Sequence, residues 1–291
     1  MKKITLSLTL VLICTALVAQ TDYAYETFDD TRIVNGHSVE TKNEGILTFI
    51  IAHRFGPMTS GRNNLWGLDF ARMRMGLDYG ITNKLMVGLG RTSTDGTIDG
   101  YVKYKFLSQS SGERSMPISA TFLGGYALET KAVHPNPDLE LDLSQKSSYV
   151  AQILIARKLG DKLSLQVMPT FLHRNLVADD EENDIFAVGF AGQYQFLKNW
   201  SVSTEYYLTP KSSLPNNPDG NDFQQSLSFS VQIDTKGHIF QLHISNSQGM
   251  VERTFISESE GDWQDGKFLK RDIFFGFNIT RDFKIKGRKI R

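Results

Sequence analysis

Cysteine is almost missing from this chain: Cys14 is the only one, and it lies inside the apolar run from Ile4 to Val18. Beyond that run, disulfide scaffolds, thiol chemistry and cysteine-built zinc sites are excluded. No later apolar stretch approaches the ~20 residues of a helical membrane span. An excess of either charge is absent too, with 32 basic against 32 acidic residues, and losing Lys2 and Lys3 with the leader leaves 30 against 32. Nucleic-acid binding therefore has no basic footprint. Proline is scarce, while glycine, aromatic and β-branched residues are plentiful. That balance points to an all-β chain.

The N-terminus explains where such a chain goes. Met1-Lys2-Lys3, the run to Val18, and Val18-Ala19-Gln20 follow the order of a secretory signal peptide, so residues 1–20 are expected to be cleaved on export. Ile13 precedes Cys14 where lipoprotein processing needs a small residue, and lipidation is not expected.

Strand periodicity is plainest between 223 and 245. Phe223, Leu227, Phe229, Val231 and Ile233 alternate with Ser226, Ser228, Ser230, Gln232 and Asp234. Thr235-Lys236-Gly237 turns the chain, and Phe240, Leu242 and Ile244 alternate with Gln241, His243 and Ser245. Successive strand side chains point to opposite faces, so each strand has one greasy and one polar face. About twelve such strands are predicted, over 46–55, 65–79, 85–92, 97–107, 118–129, 148–159, 163–174, 185–196, 200–210, 223–234, 238–246 and 272–283. In the third, neither face is clearly polar.

The connections decide between a soluble sandwich and a membrane barrel. From 130–147 onward, long and short ones alternate strictly: 160–162, 197–199 and 235–237 are short, and 175–184, 211–222 and 247–271 are long. Short periplasmic turns and long extracellular loops produce that asymmetry in outer-membrane barrels. Two connections break the phase: 93–96 is short where length is expected, and 108–117 is long where a turn is expected. The predicted fold is a transmembrane antiparallel up-and-down β-barrel over 45–283, in the outer membrane, with both ends in the periplasm. Tyr79, Phe106, Phe171, Phe196 and Trp200 lie near strand ends, where interfacial aromatics sit. The irregular segment 21–44 is either a plug entering the lumen or a periplasmic arm, and 284–291 is a basic tail.

Three stretches, ETFDDTRIVNGHSVETKNEGILTFIIAHRFG, NLWGLDFARMRMGLDYGITNKLMVGLGR and DGYVKYKFL, with the closing FGFNITRDF, resemble the bacterial β-barrel family catalogued as domain of unknown function 5777. The resemblance spans most of the mature chain, including His53-Arg54-Phe55-Gly56 and Gly67-Leu68-Asp69. It implies an outer-membrane barrel of Gram-negative bacteria and carries over no catalytic residue.

Function would then reside in the lumen. The polar faces direct Arg54, Arg72, Arg74, Lys103, Lys105 and Arg174 inward, with Asp78, Asp99, Glu129, Glu205, Gln241 and His243. Basic groups gather on the early strands, and inward cations favour anions. This predicts a narrow channel or binding barrel for a small solute, mildly anion-preferring; a lumen filled by ion-paired side chains is the other outcome at this strand number. A closed barrel docking partners through 130–147 and 247–271, with Met250, Phe255, Trp263 and Phe268 exposed, is the alternative. A lipid-acting enzyme using His243 and a nearby serine is the third and last reading, and catalysis is not expected: His37-Ser38 with Glu40 point apart on an extended chain, and His243 beside serines lacks an orienting third group. No histidine pair has ligand spacing, and the acidic run 179–184 lacks an EF-hand order, so no metal or cofactor is expected. The partners implied are outer-membrane lipids and the barrel-assembly machinery, for a monomer.

Overall fold

Twelve antiparallel strands close into one barrel in the computed structural model, which describes residues 21–24, 26–132, 140–178, 181–215, 222–235, 237–261 and 273–285. In chain order they are β1 Ile46–Pro57, β2 Arg72–Gly80, β3 Leu85–Thr92, β4 Thr97–Leu107, β5 Ser119–Glu129, β6 Ser147–Leu159, β7 Leu163–Arg174, β8 Asp184–Leu197, β9 Trp200–Leu208, β10 Ser226–Asp234, β11 His238–Ser245 and β12 Phe274–Lys284. Each pairs with its sequence neighbour, and β12 pairs with β1 from Lys284↔Ile46 to Phe274↔Pro57, so the barrel has no open edge. In a bilayer, closure is what satisfies every backbone group without water. The signal peptide and residues 286–291 of the basic tail lie outside the described residues.

The period of two is realised in three dimensions. Leu77, Leu89, Val102, Phe122, Phe190 and Leu242 point outward and are exposed, as a lipid-facing surface requires. Phe106, Phe196 and Trp200 are exposed on the outside at the periplasmic ends of their strands, with the rings of Phe196 and Trp200 6.3 Å apart. On β3 the inward residues are Met86, Gly88, Gly90 and Thr92. A Cβ on Gly88 would meet the Tyr101 ring at 2.2 Å, and one on Gly90 would meet the Arg74 guanidinium at 2.2 Å. The inward face of this strand looks characterless because its neighbours' side chains occupy the space.

Most boundaries fall within two residues of expectation, and three of the shifts have a clear local cause. The second strand starts at Arg72 rather than 65, because Arg62–Phe70 forms 3-10 turns with positive φ at Leu65, Trp66 and Gly67. There the chain doubles back on β1, and a Cβ on Gly67 would lie 2.3 Å from the Gly56 carbonyl oxygen. Strand β10 starts at Ser226, since Gln224 bridges to Ser259 instead. Strand β9 ends at Leu208, before Pro210.

Both phase-breaking connections have a structural reason. The long turn 108–117 carries a small ladder in which Ser110 and Ser111 pair with Tyr23 and Asp22, so it receives the N-terminal segment at the periplasmic mouth. The short outer loop 93–96 is braced by the next one, with Lys131 N–H donating to the Asp95 carbonyl at 2.9 Å.

Candidate functional site in the filled lumen

Residues 27–41 run inside the barrel as a re-entrant hairpin. An antiparallel bridge joins Arg32 to His37, Ile33 N–H donates to Gly36 O at 2.8 Å, and Ser38 N–H donates to Thr31 O at 3.0 Å. Both limbs reach the periplasmic mouth. The first is met there by Lys158, whose ammonium donates to Glu26 O. The second is held at the turn 80–84, where Thr41 donates to Asn83 O and Gly45 N–H to Gly80 O. The tip, 33–36, lies mid-barrel.

Two strand residues anchor this hairpin from opposite sides. Glu205 on β9 accepts hydrogen bonds from the backbone N–H groups of Asn35 (2.7 Å), Gly36 (3.0 Å) and Val34 (3.2 Å). Gly36 is required here, since a Cβ would meet the Tyr207 hydroxyl at 2.2 Å. Lys103 on β4 donates to the carbonyls of Glu40 (2.5 Å), Ser38 (2.8 Å) and Thr31 (3.3 Å). A carboxylate matched to donors and an ammonium matched to acceptors satisfy backbone groups that would otherwise be buried and unpaired.

The remaining inward residues fall into groups. Arg54, 1% exposed, donates to Asn35 Oδ1 (2.7 Å) and Asn278 Oδ1 (2.9 Å). Arg74 forms a buried ion pair with Asp99, its Nε 2.9 Å from Oδ1. Asp78 accepts from Thr31 and from the Tyr101 hydroxyl, and Lys105 pairs with Glu40 at 2.9 Å. Gln241 donates to Ile33 O at 2.5 Å. Glu129 sits higher, paired with Arg253. Arg72 stands exposed at the outer rim, opposite Arg54 in register but outside the filled bore. Arg174 engages Glu181 and the Glu182 carbonyl, so part of the acidic run folds onto the barrel; residues 179 and 180 lie outside the described residues. His243 is buried opposite Ser230 in register, and neither side chain has a hydrogen-bond partner among the described residues.

The luminal face of β5–β8 went unnoticed in the sequence. Leu123, Leu154, Met168, Leu172 and Ile185 point inward and pack with Phe28, Ile33, Val34 and Val39 of the hairpin. The available signal was apolar character on both faces of β6 and β7, which a water-filled bore does not produce. Polar residues also missed include Thr121, Gln166 and Asn278, which donate to the carbonyls of Val39, His37 and Val34.

The outer half of the lumen is closed by a second re-entrant segment. Helix α1, Glu252–Ser257, lies within the mouth with Phe255 and Ile256 fully buried, and the Phe255 ring sits 5.4 Å from Tyr207. Met250 and Phe255, expected to be exposed for docking, are instead buried because their loop turns inward; Trp263 and Phe268 lie outside the described residues. Glu252 meets the hairpin, 3.5 Å from Arg32 and 3.3 Å from His37.

Below the hairpin a vestibule of about 900 Å³ opens at the periplasmic mouth, lined among others by Asp29, Asp30, Glu40, Lys42, Lys105 and Asp282. Burial alone would depress the Lys42 ammonium, but Asp30 (3.2 Å) and Asp282 (3.1 Å) outweigh it and raise its pKa. Burial raises the Asp29 carboxyl, although Ser201 donates to it at 2.7 Å. Among the described residues no cluster of His, Cys, Asp and Glu converges as a metal site.

Solved structures with related barrels are distant. The chain is similar to the KdgM porin, at 11% identity and a TM-score of 0.43 over 81% of this chain and 99% of the other. The same porin in complex with disordered oligogalacturonate aligns at 10% identity and 0.44, over 81% and 99%. Salmonella typhi OmpF in complex with daunomycin aligns at 7% and 0.38, over 82% and 97%. No curated protein matches. Residues 28–283 match the family described as a membrane bound beta barrel domain, and this range takes in all but the last residue of the twelve strands and all but the first of the hairpin that fills them. With its closed wall and lipid-facing exterior, the chain is an outer-membrane β-barrel and belongs to that family, domain of unknown function 5777.

Proposed function

We propose that this barrel is a small-solute channel closed at rest, opened when hairpin 27–41 withdraws into the periplasm and helix α1, which meets it through Glu252, leaves the outer mouth. The observation that carries the reading is the hairpin's path. Both limbs reach the same mouth, so the segment can leave without threading a chain end through the barrel. Its anchors are hydrogen bonds and ion pairs to the wall, contacts that water can replace once the segment moves.

Withdrawal would bare Arg54, Lys103 and Lys105, against Asp78 and Glu205, while Arg74 keeps Asp99. The mild anion preference of the open form rests on those three cations. The solute is small and polar, and the protein acts by passage or binding rather than by bond chemistry.

Single-channel recording in planar bilayers tests this with three proteins. The wild type should open rarely. An Asn35→Cys, Ser228→Cys pair, whose native side chains touch at 3.1 Å, should stay silent when oxidised and recover when reduced. Deletion of 27–41 together with 250–258, which removes both fillings, should conduct steadily, with an anion preference that falls in Lys103→Met, Lys105→Met. The apolar packing of Phe28, Ile33 and Val39 favours a second reading, a permanently closed barrel. That reading takes over if the wild type stays silent at every voltage, indistinguishable from the oxidised pair.

A further inference from the structure

Three guanidinium groups converge on one small cavity at the seam between hairpin and wall. Arg32 and Asn35 contribute from the hairpin; Arg54, Arg74, Gln241 and Asn278 contribute from β1, β2, β11 and β12. The cavity measures about 20 Å³, enough for one water-sized body. Two of the arginines have an acid: Arg74 pairs with Asp99, and Arg32 lies 3.5 Å from Glu252. Arg54 has no carboxylate within ion-pair distance among the described residues; the acid acting on it, Glu205, is held by three hairpin amides. The partners of Arg54 are neutral oxygens on Asn35, Asn278 and His53, and its Nε–H has no acceptor. The one carboxylate lining the cavity, Asp30, is already engaged by Lys42 at 3.2 Å and Thr280 at 2.7 Å.

A guanidinium that is 1% exposed and has a free donor is unfavourable unless something anionic or polar meets it. We infer that this cavity is a binding site for a single small monatomic anion, a halide, held chiefly by Arg54. Size excludes phosphate and carboxylate ligands, whose several oxygens exceed a one-water space. Electrostatics favours an anion over water, because three guanidinium groups line the cavity with a single carboxylate, Asp30, and that one is engaged by Lys42. The site is half hairpin and half wall, so it exists only while the hairpin is seated. Halide binding would therefore stabilise the closed barrel by mass action. The inference rests on the closed structure alone and stands or falls independently of whether the barrel conducts.

Diffraction from crystals of the unmodified protein grown in sodium bromide is the direct test. An anomalous peak against Arg54 Nε is expected; a peak-free site holding only water would overturn the proposal. In detergent solution, the temperature at which the folded gel band is lost should rise with chloride or bromide over gluconate at equal ionic strength. A saturating rise of about 2–4 °C is expected, absent in Arg54→Gln. An equal rise in Arg54→Gln counts against the site. If that variant fails to fold, the bromide experiment decides by itself.

Discussion

His37 Nε2 lies 3.3 Å from Glu252 Oε1, at the point where a hairpin entering from the periplasm meets a helix entering from outside. Arg32 reaches the same carboxylate oxygen. The two halves of the filling thus share one acidic contact, which links the seating of one to the seating of the other.

Replacing Glu252 by Ala should loosen both halves at once. Arg32 would lose its acid within a largely buried site, at a cost of about 1–3 kcal/mol. The expected outcome is faster periplasmic proteolysis of residues 27–41, with the strands unaffected in a heat-modifiability gel. Unchanged cleavage would show that the two segments are seated independently.

Lys103→Met and Glu205→Gln remove the opposite anchors of the hairpin. Each leaves backbone groups buried without their charged partner, a loss of about 1.5–3 kcal/mol per charged hydrogen bond. Both variants should open more often than the wild type in single-channel recording. Open-channel selectivity should separate them, moving toward cations in Lys103→Met and toward anions in Glu205→Gln.

Acidification should seat the hairpin more firmly at Asp29. Burial raises its carboxyl pKa, so the folded barrel holds that proton more tightly than the withdrawn chain. The contribution is fully present below the ordinary value of about 3.9 and fades as pH rises through the raised one. Protection of 21–44 from an acid-tolerant protease, followed between pH 7 and 4, should show the gain. Asp29→Asn should flatten that slope while keeping the acceptor for Ser201 and Gln232. A slope of equal size in the variant would assign the effect to another group.

Neighbouring residues on β6 should respond unequally to truncation. Leu154→Ala removes a fully buried side chain from the hairpin's apolar seat and should cost about 2–5 kcal/mol. Ile153 faces the lipid side, where the bilayer fills the space left by Ile153→Ala, and its cost should be clearly smaller. Urea unfolding in lipid vesicles measures both, and equal losses would argue against a packed lumen.

The twelve strands and their two faces were legible in the sequence. Lipid imposes an apolar exterior on every strand, and a period of two places alternate residues on opposite sides whatever the neighbours are. Arg54, Lys103 and Glu205 were therefore recognisable as inward residues. Their partners were not. Residues 27–41 have no period of their own, and the groups that hold them are scattered along the chain from Arg54 to Thr280, brought together only by barrel closure. The same closure gave Leu123, Leu154 and Met168 an apolar occupant, where local pattern left them unexplained. Sequence alone determined the wall, because each strand carries its own in-and-out pattern. Tertiary structure decided that the bore is filled from both ends, because that depends on which distant carbonyls, amides and charges a closed register makes adjacent.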